Sequence, residues 1–315
     1  MTSSDDVRFT NGMYKPDILD LRITREIGSP RSTQWNVRES YASIAKRVGV
    51  DEETVRKRIK RQEKLGILQG WRAAIHPNLI DCVDVYVDLE VGNVDRKDET
   101  ISHLKLLEGV VVITNFEGRG LSVLFYTEPG GALSRKIQLI RTMCRADEFI
   151  WASFLTACDM KPSETDWRII WSMRNDPRKS LSEIAKEARV TTRTVNRRLS
   201  FLTEHRALFL MGLPNFRQTT GITGNFLIFC PDRDRKYDIS ESVISKFENT
   251  AFTADAANYL MFNIYFHNLS EAETSYGWIK KLKGVERVSM RIMKDLIFLS
   301  DWLDEQMKKR FVMRY

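Results

Sequence analysis

The chain has 315 residues, 43% of them hydrophobic and 10% aromatic, with a formal net charge of +7 and a pI near 9.2. That content excludes a disordered tail, and the length suits two ordinary domains or several small ones. The polar, acidic start MTSSDDVRFTNG is not a signal peptide, and no apolar run approaches the ~18–20 residues of a membrane span, so a cytoplasmic protein without a membrane partner is expected.

The basic charge is unevenly placed. Residues 40–72 hold nine basic residues against four acidic ones, whereas residues 81–128 hold ten acidic against four basic (Arg96, Lys97, Lys105, Arg119). Separate jobs for the two segments follow, the first facing an anionic partner. The four cysteines, Cys82, Cys144, Cys158 and Cys230, form no C-x-x-C pair, which argues against a zinc site or a disulfide framework and suits a reducing compartment.

In chain order, a helix is predicted at about 17–27 and a short one after Ser40, which serves as its N-cap. A turn then leads to a third helix opened by Asp51. LGILQGWRAAIHP reads as a β-hairpin wing turning at Gly70 and carrying Arg72. VDVYVDLEV (83–91) alternates apolar with polar, as a half-buried strand does. A helical stretch (97–107), strands at 110–116 and 121–127, a helix at 131–144 and a strand FIWASFLTA (149–157) complete a β-α-β-β-α-β order, that of a ferredoxin-like sandwich.

The pattern then recurs. SYASIAKRVGVDEETVRKRIKRQEKLGIL (40–68) lies over SLSEIAKEARVTTRTVNRRLSFLTEHRAL (180–208) without a gap, with Ser40/Ser180, Ile44/Ile184, Val55/Val195 and Arg58/Arg198 among the identical pairs. KPDILDLRI (15–23) matches KPSETDWRI (161–169) once an insertion around GSPRSTQWN is allowed. A second β-α-β-β-α-β series follows, from NFLIFC to VERVSMRIM, and then a C-terminal helix with a basic end, KKRFVMRY. The expected fold is α+β: two copies of a winged helix-turn-helix domain, each followed by a ferredoxin-like domain. The boundaries are 14–80, 81–160, 161–218 and 219–315, the last including the C-terminal helix.

On a helical wheel of 100° per residue, Val55, Ile59, Gln62 and Leu65 share one arc with Arg58 at its edge. Arg56, Lys57, Lys60 and Arg61 face the other way. In the second copy Val195, Leu199 and Leu202 are inside, and Arg193, Asn196 and Arg197 outside. One face packed and one basic is what the recognition helix of a helix-turn-helix requires. Lys and Arg neutralise phosphates, and Arg or Asn reaches base edges. The candidate DNA-binding residues are Thr54, Arg56, Lys57, Lys60, Arg61, Arg72, Thr192, Arg193, Asn196 and Arg197, with double-stranded DNA as partner. Glu53, where the second copy has Arg193, is read as stabilising the helix dipole. A solvated, charged helix face and a protein-interaction module are the alternatives to DNA binding.

These residues, above all SYASIAKRVGVDEETVRKRIKRQEKLGILQGWRAAIHPNLI, resemble the leucine-responsive regulator/AsnC family of prokaryotic transcription factors, and the resemblance runs twice along the chain. It implies a DNA-binding regulator that dimerises through its sensor sheets, with small-molecule effectors such as amino acids bound between sensor domains. The turn between the second and third sensor strands reads NFEGRGL in the first copy, making Gly118, Arg119 and Gly120 the candidate effector residues. It reads TADAANY, without glycine, in the second. Glycines in such turns more often serve backbone geometry, which weakens the case for an amino-acid effector. Two sensor units on one chain imply an intrachain pseudo-dimer, with further homo-oligomerisation open.

The siroheme decarboxylases are built from similar units and give a second reading. They resemble this chain in layout but depend on histidines near the sensor-domain turn, where this sequence has Thr114. His76, His103, His205 and His267 are isolated, and no Ser/His/Asp cluster or phosphate loop is present. The chain is therefore expected not to be an enzyme, with no catalytic or metal-binding residue and no cofactor assigned.

Overall fold

The structure, a computed structural model, describes residues 9–10, 13–28, 37–146, 149–155 and 157–312. The insertion expected around GSPRSTQWN falls, beyond Gly28, outside them. Two short strands, β1 (Phe9–Thr10) and β2 (Met13–Tyr14), precede α1 (Ile18–Gly28), α2 (Tyr41–Val48), α3 (Glu52–Lys64) and β3 (Leu68–Ile75). Next come β4 (Val83–Glu90), α4 (Lys97–Leu104), β5 (Val110–Phe116), β6 (Gly120–Thr127), α5 (Gly131–Cys144) and β7 (Phe149–Ala152). The same order returns in α6 (Glu164–Met173), α7 (Leu181–Ala188), α8 (Thr192–Glu204) and β8 (Leu208–Pro214). It continues through β9 (Ile222–Phe229), α9 (Arg233–Lys246), β10 (Thr250–Asp255), β11 (Tyr259–Phe266), α10 (Leu269–Lys280) and β12 (Arg287–Phe298). α11 (Asp301–Val312) ends the described chain. The mixed α+β class is as the sequence indicates.

Eight strands form one antiparallel sheet in the order β10-β11-β9-β12-β5-β6-β4-β7. Each half of that order is the arrangement of a ferredoxin-like unit. β12 joins them: Arg287–Ile292 pair with β9, and from Met293 on, across a bulge before Asp295, the strand pairs with β5, Leu296 opposite Thr114. The sequence pattern ended this strand near Met293, because KDLIF breaks the alternation. α4 and α5 cover one apolar core with β4–β6, and α9 and α10 cover a second with β9, β11 and the start of β12.

On the other face, Tyr86, Phe154, Leu227, Ala254, Ala256 and Met261 form one cluster. Three strands separate β4 from β9 in the sheet, so the sheet must curl until its two halves face each other. β7 is shorter than the predicted 149–157. The Asp84 carboxylate accepts from the Ser153 hydroxyl (2.7 Å) and from the backbone N–H groups of Phe154 (2.8 Å) and Leu155 (3.2 Å), which takes those donors out of any strand ladder.

The expected hairpin wing at Gly70 does not form. Gly70, at φ 153°, sits at a bulge, and β3 runs straight through to pair antiparallel with β8. The apolar LFLM of β8 supplies the partner that a return strand would have supplied. Gly70 faces Leu213, Trp71 faces Gly212 and Ala73 faces Leu210. The helices flanking this ribbon share one continuous core, with Ile44, Val55, Ile59, Ile184, Val195 and Leu202 all buried in it. α11 contributes Leu303 and Met307 to that core, so the last helix packs on the helical layer and not on the ferredoxin-like unit it follows in the chain.

Candidate nucleic-acid interface

α2 and α3 are set by their caps. The Ser40 side chain accepts from the Ser43 N–H, Gly49 closes α2 in the left-handed conformation (φ 78°), and the Asp51 side chain accepts from the Thr54 N–H (2.8 Å). Val55, Ile59 and Gln62 are buried, as the wheel requires. Arg58 is structural: its guanidinium bonds the carboxylates of Asp17 (2.5 Å) and buried Asp20 (3.1 Å).

The outward set divides. Lys57 and Lys60 are exposed and have no ion-pairing or hydrogen-bonding side-chain partner among the described residues. Arg56 pairs with Glu52 (2.6 Å) and Glu53 (3.4 Å) and lies over the Tyr41 ring. Thr54 is half-buried, its hydroxyl donating to Asp51 (2.7 Å). Arg61 does not face out. It donates to the Tyr14 hydroxyl, lies over the Tyr14 ring and approaches Asp20 (3.4 Å). The wheel alone places Arg61 outside; the cage of Tyr14 and Asp20, about forty residues upstream, turns it in. Arg72 likewise donates to the carbonyls of Trp71 (3.2 Å) and Asn175 (3.1 Å), tying the ribbon to the second helical unit.

α7 and α8 follow the same plan. Ser180 and Glu183 form a capping box, Thr191 caps α8, and Arg189 takes the left-handed position that Gly49 takes in the first unit. Arg198 holds Asp166 with two bonds, of 2.6 and 2.5 Å. Asp166 is fully buried; burial pushes its pKa up, but the bonds from Arg198 and Ser163 outweigh this and hold it below the usual carboxylate range. Thr192, Arg193, Asn196 and Arg197 are all exposed. None has an ion-pairing or hydrogen-bonding side-chain partner among the described residues. α8 therefore presents its polar side uncommitted, whereas most of the arginines of α3 are internally engaged.

Two further arginines, which the sequence reading passed over, lash the units together. Arg38 donates to the carbonyls of Pro177 and Lys179 (2.7 Å each), and Arg178 donates to the carbonyl of Val37 (2.7 Å). They stand at the same place, two residues before Ser40 and Ser180, so extending the gapless overlay upstream by two residues would have aligned them. The backbone adds Val37 N to Leu210 O (3.0 Å) and His76 N to Ala207 O (2.9 Å).

The turn of Gly118, Arg119 and Gly120 is filled from inside the molecule. Lys97, only 6% exposed, donates to the carbonyls of Phe116 (2.6 Å) and Gly118 (2.8 Å). Arg119 donates to the Val91 carbonyl, and a Cβ on Gly120 would meet Arg291 at 2.9 Å. Burial, with the cations Lys294 and Arg291 nearby, brings the Lys97 pKa down to about 8. The histidines are dispersed: His76 is buried and accepts from the Asn78 N–H, His205 lies against Phe201 at the end of α8, and His267 follows β11. Among the described residues, no helix is long and apolar enough to cross a membrane.

The helix-turn-helix geometry and the sequence agree on a class. A family model for winged helix-turn-helix DNA-binding domains matches residues 162–205, which include α7 and α8. The chain is 33% identical over 102 residues to the HTH-type transcriptional regulator Ptr1 of Methanocaldococcus jannaschii, covering 32% of this chain and 65% of that protein. It is 31% identical over 97 residues to the leucine-responsive regulatory protein of Haemophilus influenzae, covering 30% and 55%. These matches relate the chain to the leucine-responsive regulator/AsnC family, and they span only about half to two thirds of those relatives' own length. Among solved structures, the siroheme decarboxylase NirDL superposes with a TM-score of 0.55 at 15% identity, over 95% of this chain and 99% of that one. At that identity the likeness is one of fold, and it extends end to end.

Proposed function

We propose that this chain is a DNA-binding transcriptional regulator with two helix-turn-helix heads, α3 and α8, on the units 14–80 and 161–218. The units 81–160 and 219–315 then act as an intrachain sensor pair standing in for a dimer of single-unit regulators. The observation that carries the reading is the exposed, unpaired set Thr192, Arg193, Asn196 and Arg197 on a helix inside the matched segment. Asn and Arg there suit base edges, while Lys57 and Lys60 on α3 suit phosphates. Arg56 and Thr54 complete the first head, and Arg61 and Arg72 support it from within. The turn at Gly118, Arg119 and Gly120 supports effector binding least, since Lys97 and Arg291 occupy its surroundings.

Genome-wide mapping of bound sites, followed by gel-shift titration on a mapped site, tests the reading. Arg193→Ala and Arg197→Ala should relax sequence preference; Lys57→Ala and Lys60→Ala should weaken all sequences alike. Unchanged affinity in all four variants would sink the assignment. The likeness to NirDL favours one other reading, a tetrapyrrole enzyme. Against it stands Thr114 where that reading needs a histidine. A haem-like absorbance after incubation with a tetrapyrrole would bring the enzyme reading forward.

A further inference from the structure

A cavity of about 300 Å³ lies between the curled sheet and the helical layer. Its floor comes from strands of both ferredoxin-like units and carries Tyr86, Thr114, Ser122, Thr223, Asn225 and Asn263. Its roof is largely apolar, with Leu21 from α1 and Trp71 and Leu213 from the β3–β8 ribbon. The size reaches the lower end of the range for small-molecule sites, and a mostly apolar lining with a few converging polar groups is typical of them.

Two features define what would fit. Among the described residues, Asp20 is the one carboxylate or cationic side chain at the wall, and it is already engaged by Tyr14, Arg58 and Arg61. A charged ligand, a zwitterionic amino acid included, would be desolvated there without a counter-charge. Tyr86 is 7% exposed and held edge-on to Phe154 at 5.2 Å; its buried hydroxyl has Ser122 and Asp88 as nearby hydrogen-bonding groups but meets neither, nor any other described residue, in good geometry. A buried hydroxyl so poorly aligned with its neighbours gains from a well-placed acceptor or donor on a bound molecule. Beside it, Asn225 donates to Asn263 (2.7 Å), fixing two amides in the same floor.

We infer that this cavity is a binding site for an uncharged, largely apolar small molecule with one hydrogen-bonding edge, seated on the Tyr86–Asn263 floor. It is distinct from the Gly118–Gly120 turn, and it stands whether or not the chain binds DNA, because its test contains none.

The full chain is titrated with N-phenyl-1-naphthylamine, a neutral fluorescent probe, and in parallel with its anionic sulfonate counterpart, 8-anilinonaphthalene-1-sulfonate. Wild-type protein should give a saturable, one-to-one enhancement with the neutral probe and at least tenfold weaker binding of the anion. Leu124→Trp, which fills the cavity from the floor, and Met211→Trp, which fills it from the roof, should each weaken the neutral probe at least tenfold. Leu106→Trp, adding the same bulk at a position 82% exposed, should leave it unchanged. Each variant is first checked for a native melting transition, and either cavity variant suffices if the other fails to fold. Non-saturable enhancement, equal binding of both probes, or undiminished binding in a folded cavity variant would overturn the inference.

Discussion

The salt dependence of DNA binding separates the gripping residues from the structural ones on α3. Each lysine that neutralises a phosphate contributes about 0.9 to the slope of log K against log salt. Lys57 and Lys60 are exposed and have no side-chain partner among the described residues, so Lys57→Ala/Lys60→Ala should flatten the slope by about 1.8. Between about 50 and 200 mM salt that corresponds to a roughly tenfold narrowing of the gap between wild type and variant. Arg61→Ala should leave the slope where it was, because its guanidinium is spent on Tyr14 and Asp20. It should instead lower the unfolding free energy by about 1 kcal/mol, the typical worth of such a bond. Fluorescence anisotropy with a labelled duplex at several salt concentrations gives the slopes, and urea denaturation gives the stability. If Arg61→Ala flattens the slope as much as one lysine does, its inward placement is wrong. If the double lysine variant keeps the wild-type slope, α3 does not touch phosphate.

Leu210→Ala removes a buried side chain from the ribbon core shared by both heads and should cost about 2–5 kcal/mol. The helical layer should still unfold in one transition by circular dichroism, and two separated transitions would contradict the shared core. Arg189→Gly relieves a left-handed backbone (φ 55°) at the end of α7 and should stabilise the chain by about 1 kcal/mol; unchanged or lower stability would refute the strain. Lys97 has its folded pKa lowered to about 8, whereas in the unfolded chain it keeps its proton to near the model-compound value of about 10.4. Between those values the unfolded state binds more protons, so stability rises with pH. Compared with Lys97→Met across pH 7 to 10.5, wild type should gain by up to about 1.4 kcal/mol per pH unit above pH 8. A flat difference would show that Lys97 titrates normally.

Much of this was legible in the sequence because it is local. Ser40, Asp51, Ser180 and Thr191 announce their helices by capping, and Val55/Ile59 and Val195/Leu199 announce the buried side by spacing. Strand alternation located most of the sheet. What escaped depends on partners far apart in the chain. β3 has a strand partner about 140 residues away, so its own sequence suggested a hairpin. Arg61 stands on the outer arc of its wheel until Tyr14 and Asp20 are placed beside it. The cavity belongs to no single element, since its floor and roof draw on both halves of the chain.

The register of the sheet gives Asp84 a wider consequence. Tyr86 pairs with Ala152 in the first unit and Asn225 with Arg291 in the second, and Val87, Leu89 and Val91 face one helix-covered core as Phe226, Ile228 and Cys230 face the other, so Asp84 and Thr223 occupy corresponding places. Beside Thr223 the strand continues past Ile292 and joins β5; beside Asp84 the strand is intercepted at Ser153, and β7 and β10 stay at the two ends of the sheet. The curled sheet is thus an incomplete barrel with two unlike seams, one stitched by main-chain bonds and the other closed by Phe154 lying in one apolar cluster with Ala254 and Ala256. Side-chain contact parts more readily than a ladder does. A single carboxylate therefore decides which seam of this barrel is held by side chains alone.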